Sequence, residues 1–202
     1  MIQCSQSELQ TKLVDHNVQM FFKCLGVCHS CVSIEYQNNK SESVYSGSSI
    51  DEVCLLEMAR QARDFGYFVK RDSSTISYRQ SSNHVQDLRV LKVFEFTPER
   101  RAMSVVVEDS GKIYAFVKGA DSTLMKMKSE NQNSHSILKL EDDIKNFAIK
   151  GWRTLVFGMK EISPQDGQSL ENILKDGWDQ LKIEQVESDL TLLGATGVED
   201  SL

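Results

Sequence analysis

Apolar residues recur at spacings of three and four along the early part of the chain. Val18, Phe21, Phe22, Leu25, Cys28 and Val32 form one stripe, which predicts an amphipathic helix with Asp15 as its N-cap. Residues 1–13 carry no such period. A short strand is predicted for Val32 to Tyr36, and a polar loop for Gln37 to Ser49. Ser49-Ile50-Asp51-Glu52 fits the capping box, with a hydroxyl at the cap and a carboxylate three residues on. The helix it opens is predicted to run to about Asp64, with Gly66 as its stop.

From there the period changes to two. Tyr67–Val69, Thr75–Tyr78, Leu88–Phe96, Met103–Glu108 and Lys112–Lys118 read as strands. Asp109-Ser110-Gly111 reads as a hairpin connection, with glycine where positive φ is needed. A short helix is predicted over Asp121–Met127, capped by Asp121 or Ser122. A longer one covers Ile137–Ile149, with Ile137, Leu140, Ile144, Phe147 and Ala148 on one face and Gly151 at its end. Trp152–Ile162 reads as a strand and Gln165–Lys182 as a helix. Leu190–Leu193 reads as the last strand, followed by a turn at Gly194-Ala195-Thr196-Gly197. Consecutive strands with helices before and after, without strict alternation, predict an α/β fold of the α+β type. Its core is a largely antiparallel twisted sheet flanked by helices, which the pattern places on one side.

Composition narrows the classes of function. At 202 residues, with 40% hydrophobic side chains, the chain suits one domain spanning residues 1–202. A net charge of −6 argues against a general nucleic-acid binder, since phosphate contacts need clustered Lys and Arg. No apolar run is long enough to cross a bilayer, so this stretch is not expected to insert into a membrane. Neither a glycine-rich dinucleotide fingerprint nor a P-loop motif is present.

Five cysteines, three of them within eight residues, suit reduced thiols better than a disulfide framework. Cys24-x3-Cys28-x2-Cys31 has the spacing of a radical-enzyme iron–sulfur loop, and His29 admits a zinc reading. The same positions are i, i+4 and i+7 on an apolar helix face, where cysteine acts as a small hydrophobe. The buried-core reading is the expected one, with no metal.

A second constellation is quieter. Phe96 is followed by Arg100 and Arg101, one predicted strand ends at Lys118-Gly119-Ala120, and Arg153 stands at a helix-to-strand junction. A flat ring, a lysine, small residues leaving room for a ligand, and forked arginines together suit a base and its phosphates.

The segments FEFTPERRAMSVVV, VKGADS, GWRTLVF and DLTLLGATGVEDSL resemble the signature blocks of the nucleotide-binding domain of P-type ATPases, in order and separation. The last block, and Cys28-His29-Ser30, resemble the phospholipid-flippase subfamily. Ser49-Ile50-Asp51-Glu52 resembles the family's Ser-Pro-Asp-Glu block, with Ile50 in place of proline. The resemblance implies an ATP-binding domain of a larger integral membrane pump, facing the cytoplasm, with residues 194–202 beginning the return to the phosphorylation domain.

By the same resemblance Phe96 stacks on adenine and Glu52 lies near the adenine edge. Lys118, backed by Gly119, lines the bottom of the pocket. Arg153 reaches the phosphates. Arg101 takes the second basic position, where lysine is usual, and Thr97 a small hydroxyl position. Pro98 departs from the family pattern. The motif Asp-Lys-Thr-Gly-Thr is not in the chain, so no catalytic residue is expected here. The implied partners are ATP, the phosphorylation and actuator domains of the same polypeptide, and an accessory subunit. Magnesium is implied for the whole pump, with ligands elsewhere, so ATP binding by this domain is expected to be weak and little dependent on magnesium. The readings left beside this one are a cation pump's domain, a degenerate interaction domain that keeps only the fold, and the iron–sulfur enzyme. The two chain ends are expected to lie close together.

Overall fold

A computed structural model describes residues 16–36, 39–80, 84–163 and 183–199. The predicted cap at Asp15, the predicted helix over Gln165–Lys182 and the expected proximity of the chain ends lie outside the described residues.

Helix α1 (His16–Val27) leads into a two-stranded ribbon of β1 (Val32–Tyr36) and β2 (Asn39–Ser46). The second of these strands replaces the polar loop that the sequence predicts. NKSESVYS has little apolar content, but β1 offers a complete antiparallel partner, pairing Val32 with Ser46 and Ile34 with Val44. Helix α2 (Ile50–Gln61) follows, then one 3-10 turn (Arg63–Phe65) closed by Gly66 at φ +95°. The helix therefore ends three residues before the predicted Asp64.

The main sheet has seven strands in sequential order, each antiparallel to its neighbour: β3 (Tyr67–Arg71), β4 (Thr75–Arg79), β5 (Val85–Phe94), β6 (Ala102–Asp109), β7 (Lys112–Gly119), β8 (Arg153–Ile162) and β9 (Thr191–Val198). Between β7 and β8 stand helices α3 (Asp121–Met127) and α4 (Ser134–Ile149), and before β9 the single turn α5 (Ile183–Val186). The β6–β7 hairpin pairs Asp109 with Lys112 across Ser110 and Gly111, at φ +53° and +79°. Positive φ at both loop residues matches the right-handed twist of the strands.

Helices cover both faces of the central strands, not one. Met103, Val105, Val107, Phe116 and Phe157 pack in the core with Phe22, Cys24 and Leu25 of α1 and Leu55 and Leu56 of α2. On the opposite face Val117 and Val156 pack with Leu124 of α3 and Ile137 and Leu140 of α4. A strand buried on both faces has no polar face to keep, which is why Met103–Val107 is interrupted only by Ser104.

Caps follow local chemistry. The Asn133 side chain accepts from the His135 N–H at the start of α4 (2.8 Å). Helix α3 has Ala120 at its N-cap position and no side-chain cap. Asp121 accepts only from the neighbouring Ser122 N–H (2.6 Å), so neither predicted residue caps it. The predicted turn at Gly194–Gly197 is strand, part of β9.

Candidate functional site

The antiparallel register gathers the candidate residues at one end of the sheet. Ala102, the first residue of β6, pairs with Gly119, the last of β7. Gly119 pairs in turn with Val156, three residues into β8 from Arg153. Strand β5 ends at Phe94, opposite Ser104, so Phe96 lies two residues beyond the same edge. It belongs to the turn after β5 rather than to the predicted strand, and its side chain is exposed (58%).

Lys118 shares the α1-covered face with Met103 and Phe157, its cross-strand partners. Its ammonium lies 2.5 Å from the Glu52 carboxylate in the first turn of α2, with the two side chains 9% and 10% exposed. The second Glu52 oxygen accepts from the Ser30 N–H (3.0 Å), the Ser30 hydroxyl (2.8 Å) and the Cys31 thiol (3.6 Å). Burial by itself would raise the Glu52 carboxyl, but the Lys118 charge and the Ser30 donors outweigh it and hold the group at about 2. The capping box is therefore half formed. Ser49 Oγ accepts from the Glu52 N–H (3.3 Å), while the Glu52 carboxylate is turned to Lys118 and Ser30.

Arg153, at the start of β8, pairs with Asp51 at 2.9 Å, its side chain half exposed. The first turn of α2 is thus tied to two strands by consecutive acids. Ile50, where the resembled family has proline, is 75% exposed. Proline suits a first helical turn because its missing N–H has no partner there, and an exposed isoleucine fills the same place without disturbing Asp51 or Glu52.

Thr97 and Arg101 bracket a tight turn. The Arg101 N–H donates to the Thr97 carbonyl (2.7 Å) and the Arg100 N–H to Thr97 Oγ1 (3.3 Å). Arg101 has φ +51°, a sparsely populated conformation for a residue with a side chain. Gly119 does not leave room for a ligand as its sequence suggests. A Cβ there would stand 2.4 Å from the Arg101 carbonyl oxygen and 2.8 Å from Leu124 Cδ1, so the glycine serves the close approach of the protein to itself.

Cys24, Cys28 and Cys31 lie in the core, and Cys54 is exposed. The Cys28 thiol donates to the Met103 carbonyl (3.3 Å), and Cys24 approaches the Val117 and Gly158 carbonyls at 3.8 and 3.7 Å. Burial pushes the Cys28 thiol up to about 12 and Cys31 to about 11, away from the thiolate that ligates iron or zinc. Both His29 ring nitrogens are engaged. Nδ1 accepts from the Cys31 N–H (3.1 Å) and Nε2 donates to the Gly26 carbonyl (3.0 Å). Among the described residues no group of three or more His, Cys, Asp or Glu side chains could hold a metal ion.

Ser30 and Asp51, which the sequence did not single out, sit inside blocks that it did, beside His29 and Glu52. Arg100, Ser104 and Glu187 form a cluster whose members are up to 87 residues apart. No local pattern announces it.

The fold is a seven-stranded antiparallel sheet with Phe96, the buried Lys118–Glu52 pair and Arg153 at one end, and the chain belongs to the P-type ATPase family as its cytoplasmic domain N. The family model described as P-type ATPase, cytoplasmic domain N, matches residues 17–202. Similar proteins include a probable phospholipid-transporting ATPase 12 of Arabidopsis thaliana, 30% identical over 92% of this chain and 17% of its own length. Phospholipid-transporting ATPase FetA of Mus musculus is 32% identical over 95% of this chain and 16% of its own. Phospholipid-transporting ATPase IH of Homo sapiens is 31% identical over 91% and 17%. The chain thus spans about a sixth of the length of these relatives. No helix among the described residues is long and apolar enough to cross a membrane.

Proposed function

We propose that this chain is the ATP-binding domain of a phospholipid-transporting P-type ATPase, and that it presents ATP for phosphoryl transfer to an aspartate in another domain of the same polypeptide. The observation that carries the reading is Phe96. A large aromatic ring stands 58% exposed at the one sheet end that also holds Lys118, Glu52, Arg101 and Arg153. Exposing a phenylalanine beside the Thr97–Arg101 turn gains nothing for folding, whereas the ring offers a base a stacking platform.

In this reading adenine stacks on Phe96, with the Glu52–Lys118 pair facing the base from the sheet. Lys118 has three donors and Glu52 engages one of them, so the ammonium can serve a ligand while its charge stays compensated. Arg153, at the rim and half exposed, suits an anionic phosphate tail through its planar fork. Arg101 and Thr97 flank the ring. Magnesium would come with the reaction, supplied by ligands in other domains, and would neutralise charge on the transferring phosphoryl group. The share of this domain is to hold the nucleotide in position, which is most of what phosphoryl transfer asks of a protein. The phospholipid assignment rests on the names of the similar proteins, and the phosphorylation and actuator domains are partners on the same basis.

Calorimetric titration with ATP tests the reading, using Phe96→Ala as the control. The ring is exposed, so its removal leaves the melting temperature nearly unchanged. Losing one base stack weakens ATP by about 5-fold or more, since a stack contributes about 1–3 kcal/mol. A folded wild-type chain that takes up no ATP at millimolar concentration overturns the proposal and leaves an interaction domain.

A further inference from the structure

The turn that carries Phe96, Thr97 and Arg101 is held by a residue that does not face the proposed base. Arg100 Nε donates to Glu187 Oε1 at 3.0 Å. Its terminal nitrogen donates to the carbonyls of Phe94 (3.1 Å) and Glu95 (2.6 Å), the last two before Phe96. One guanidinium therefore grips the end of β5 through its terminal nitrogen and a distant carboxylate through Nε.

That carboxylate is well anchored. Glu187 is 8% exposed. The oxygen that meets Arg100 also accepts from the hydroxyl of Ser104, a fully buried residue of β6. The Glu187 N–H closes the α5 turn onto the Ile183 carbonyl (2.8 Å), and the preceding residue, Val186, packs with Val106, Ile113 and Ala115 on the sheet. On its other side the turn is pinned through Arg101, whose carbonyl accepts from the Ala120 N–H at 3.0 Å, just past Lys118 and Gly119.

We infer that Arg100 and Glu187 are positioning residues for the nucleotide. The part-buried ion pair fixes the Thr97–Arg101 turn so that the Phe96 ring is presented to the base before ATP arrives. The inference rests on the ATP-binding reading above. It accounts for two otherwise unrelated features. A carboxylate is buried against the sheet where a hydrophobic residue would pack as well, and Arg101 is kept at positive φ. An arginine is needed because its fork serves the acid and the carbonyls together, which the single ammonium of a lysine cannot do. A ring held in place in advance loses less freedom on binding, and the difference appears as affinity.

The test is NMR titration of the 202-residue chain with ATP, for wild type, Glu187→Gln and Arg100→Lys, at a temperature below every variant's melting transition. Glu187→Gln keeps size and the acceptor for Ser104 while removing the charge that holds Arg100. The expected result is about 5- to 10-fold weaker ATP binding, part of what a full base stack supplies. The limiting shift of the Phe96 ring protons at saturation should shrink, while the amide shifts of Lys118 and Arg153 reach their wild-type limits. If Glu187→Gln does not fold, Arg100→Lys carries the test. Wild-type affinity and a wild-type Phe96 limiting shift in the folded variants overturn the inference. So does an equal loss of limiting shift at all three sites, which marks a general loosening of the domain. Absence of binding in wild type instead overturns the ATP reading.

Discussion

Lys118 and Glu52, 66 residues apart in sequence, meet at 2.5 Å with both side chains nearly closed off from water. Removing one member of such a pair leaves the other charge buried without compensation. Lys118→Ala is expected to destabilise the domain by about 3–5 kcal/mol, measured by urea unfolding at pH 7. Lys118→Met combined with Glu52→Gln should recover much of that loss, because no net charge is then buried. Binding measurements on Lys118→Ala need this stability control beside them.

The same carboxylate sets an acid limb. Its folded value, about 2, lies below its ordinary value of 4.5. The stability from Glu52 is therefore fully present above pH 4.5 and is lost as pH falls toward 2. Glu52→Gln removes this limb from a plot of unfolding free energy against pH.

His29 acts in a higher window. Burial, with Arg71 and Lys118 nearby, lowers the ring from 6.5 to about 3, and both ring nitrogens are already committed as a neutral tautomer. Above pH 6.5 it exacts no penalty. Below that the unfolded chain binds a proton that the folded chain refuses, so stability falls between pH 6.5 and about 3, by a few kcal/mol in total. Urea unfolding at pH 7, 6, 5 and 4 should show the decline, and His29→Gln should flatten its upper part.

Gly119→Ala drives a methyl group into the Arg101 carbonyl and Leu124. The expected cost is about 1–3 kcal/mol, with displaced amide signals at Arg101 and Lys118. An unchanged melting temperature would show that the β6–β7 end opens more easily than its packing implies.

Magnesium removal should change little. No cluster of metal-binding side chains exists among the described residues, so ATP affinity with excess chelator should stay within about twofold of that with magnesium. That bound is well under the tenfold corresponding to 1.4 kcal/mol. Abolished binding would mean that this domain, and not only its neighbours, recruits the ion.

What the sequence disclosed and what it hid divide along physical lines. Met103–Val107 and the Ser110-Gly111 loop were legible because burial and positive φ each demand particular residue types. The apolar stripe of α1 was legible by its period only as far as Val27: Cys24, Cys28 and Cys31 are buried as expected, but Cys28 and Cys31 lie beyond the helix, and Val32 is an exposed residue of β1. Strand β2 was hidden, since NKSESVYS becomes a strand only through its pairing with β1. Gly194 and Gly197 read as a turn, yet they sit in β9 because aromatic rings press on them. A Cβ at Gly194 would stand 3.2 Å from Phe21, and one at Gly197 2.8 Å from Trp152. Glycine in a strand often marks such an approach. At the site, Phe96, Lys118 and Arg153 stood out through their blocks. The partners that hold them in place, Asp51, Ser30 and the Arg100–Glu187 pair, depend on contacts across as many as 102 residues, which no local spacing encodes.

The central claim is most directly tested by titrating the chain with ATP and following its amide resonances. The account predicts saturable shifts at Phe96, Lys118 and Arg153, and little change at the far end of the sheet around Asp109 and Gly111. Shifts absent from all three residues at millimolar ATP, in a well-dispersed spectrum, would contradict it.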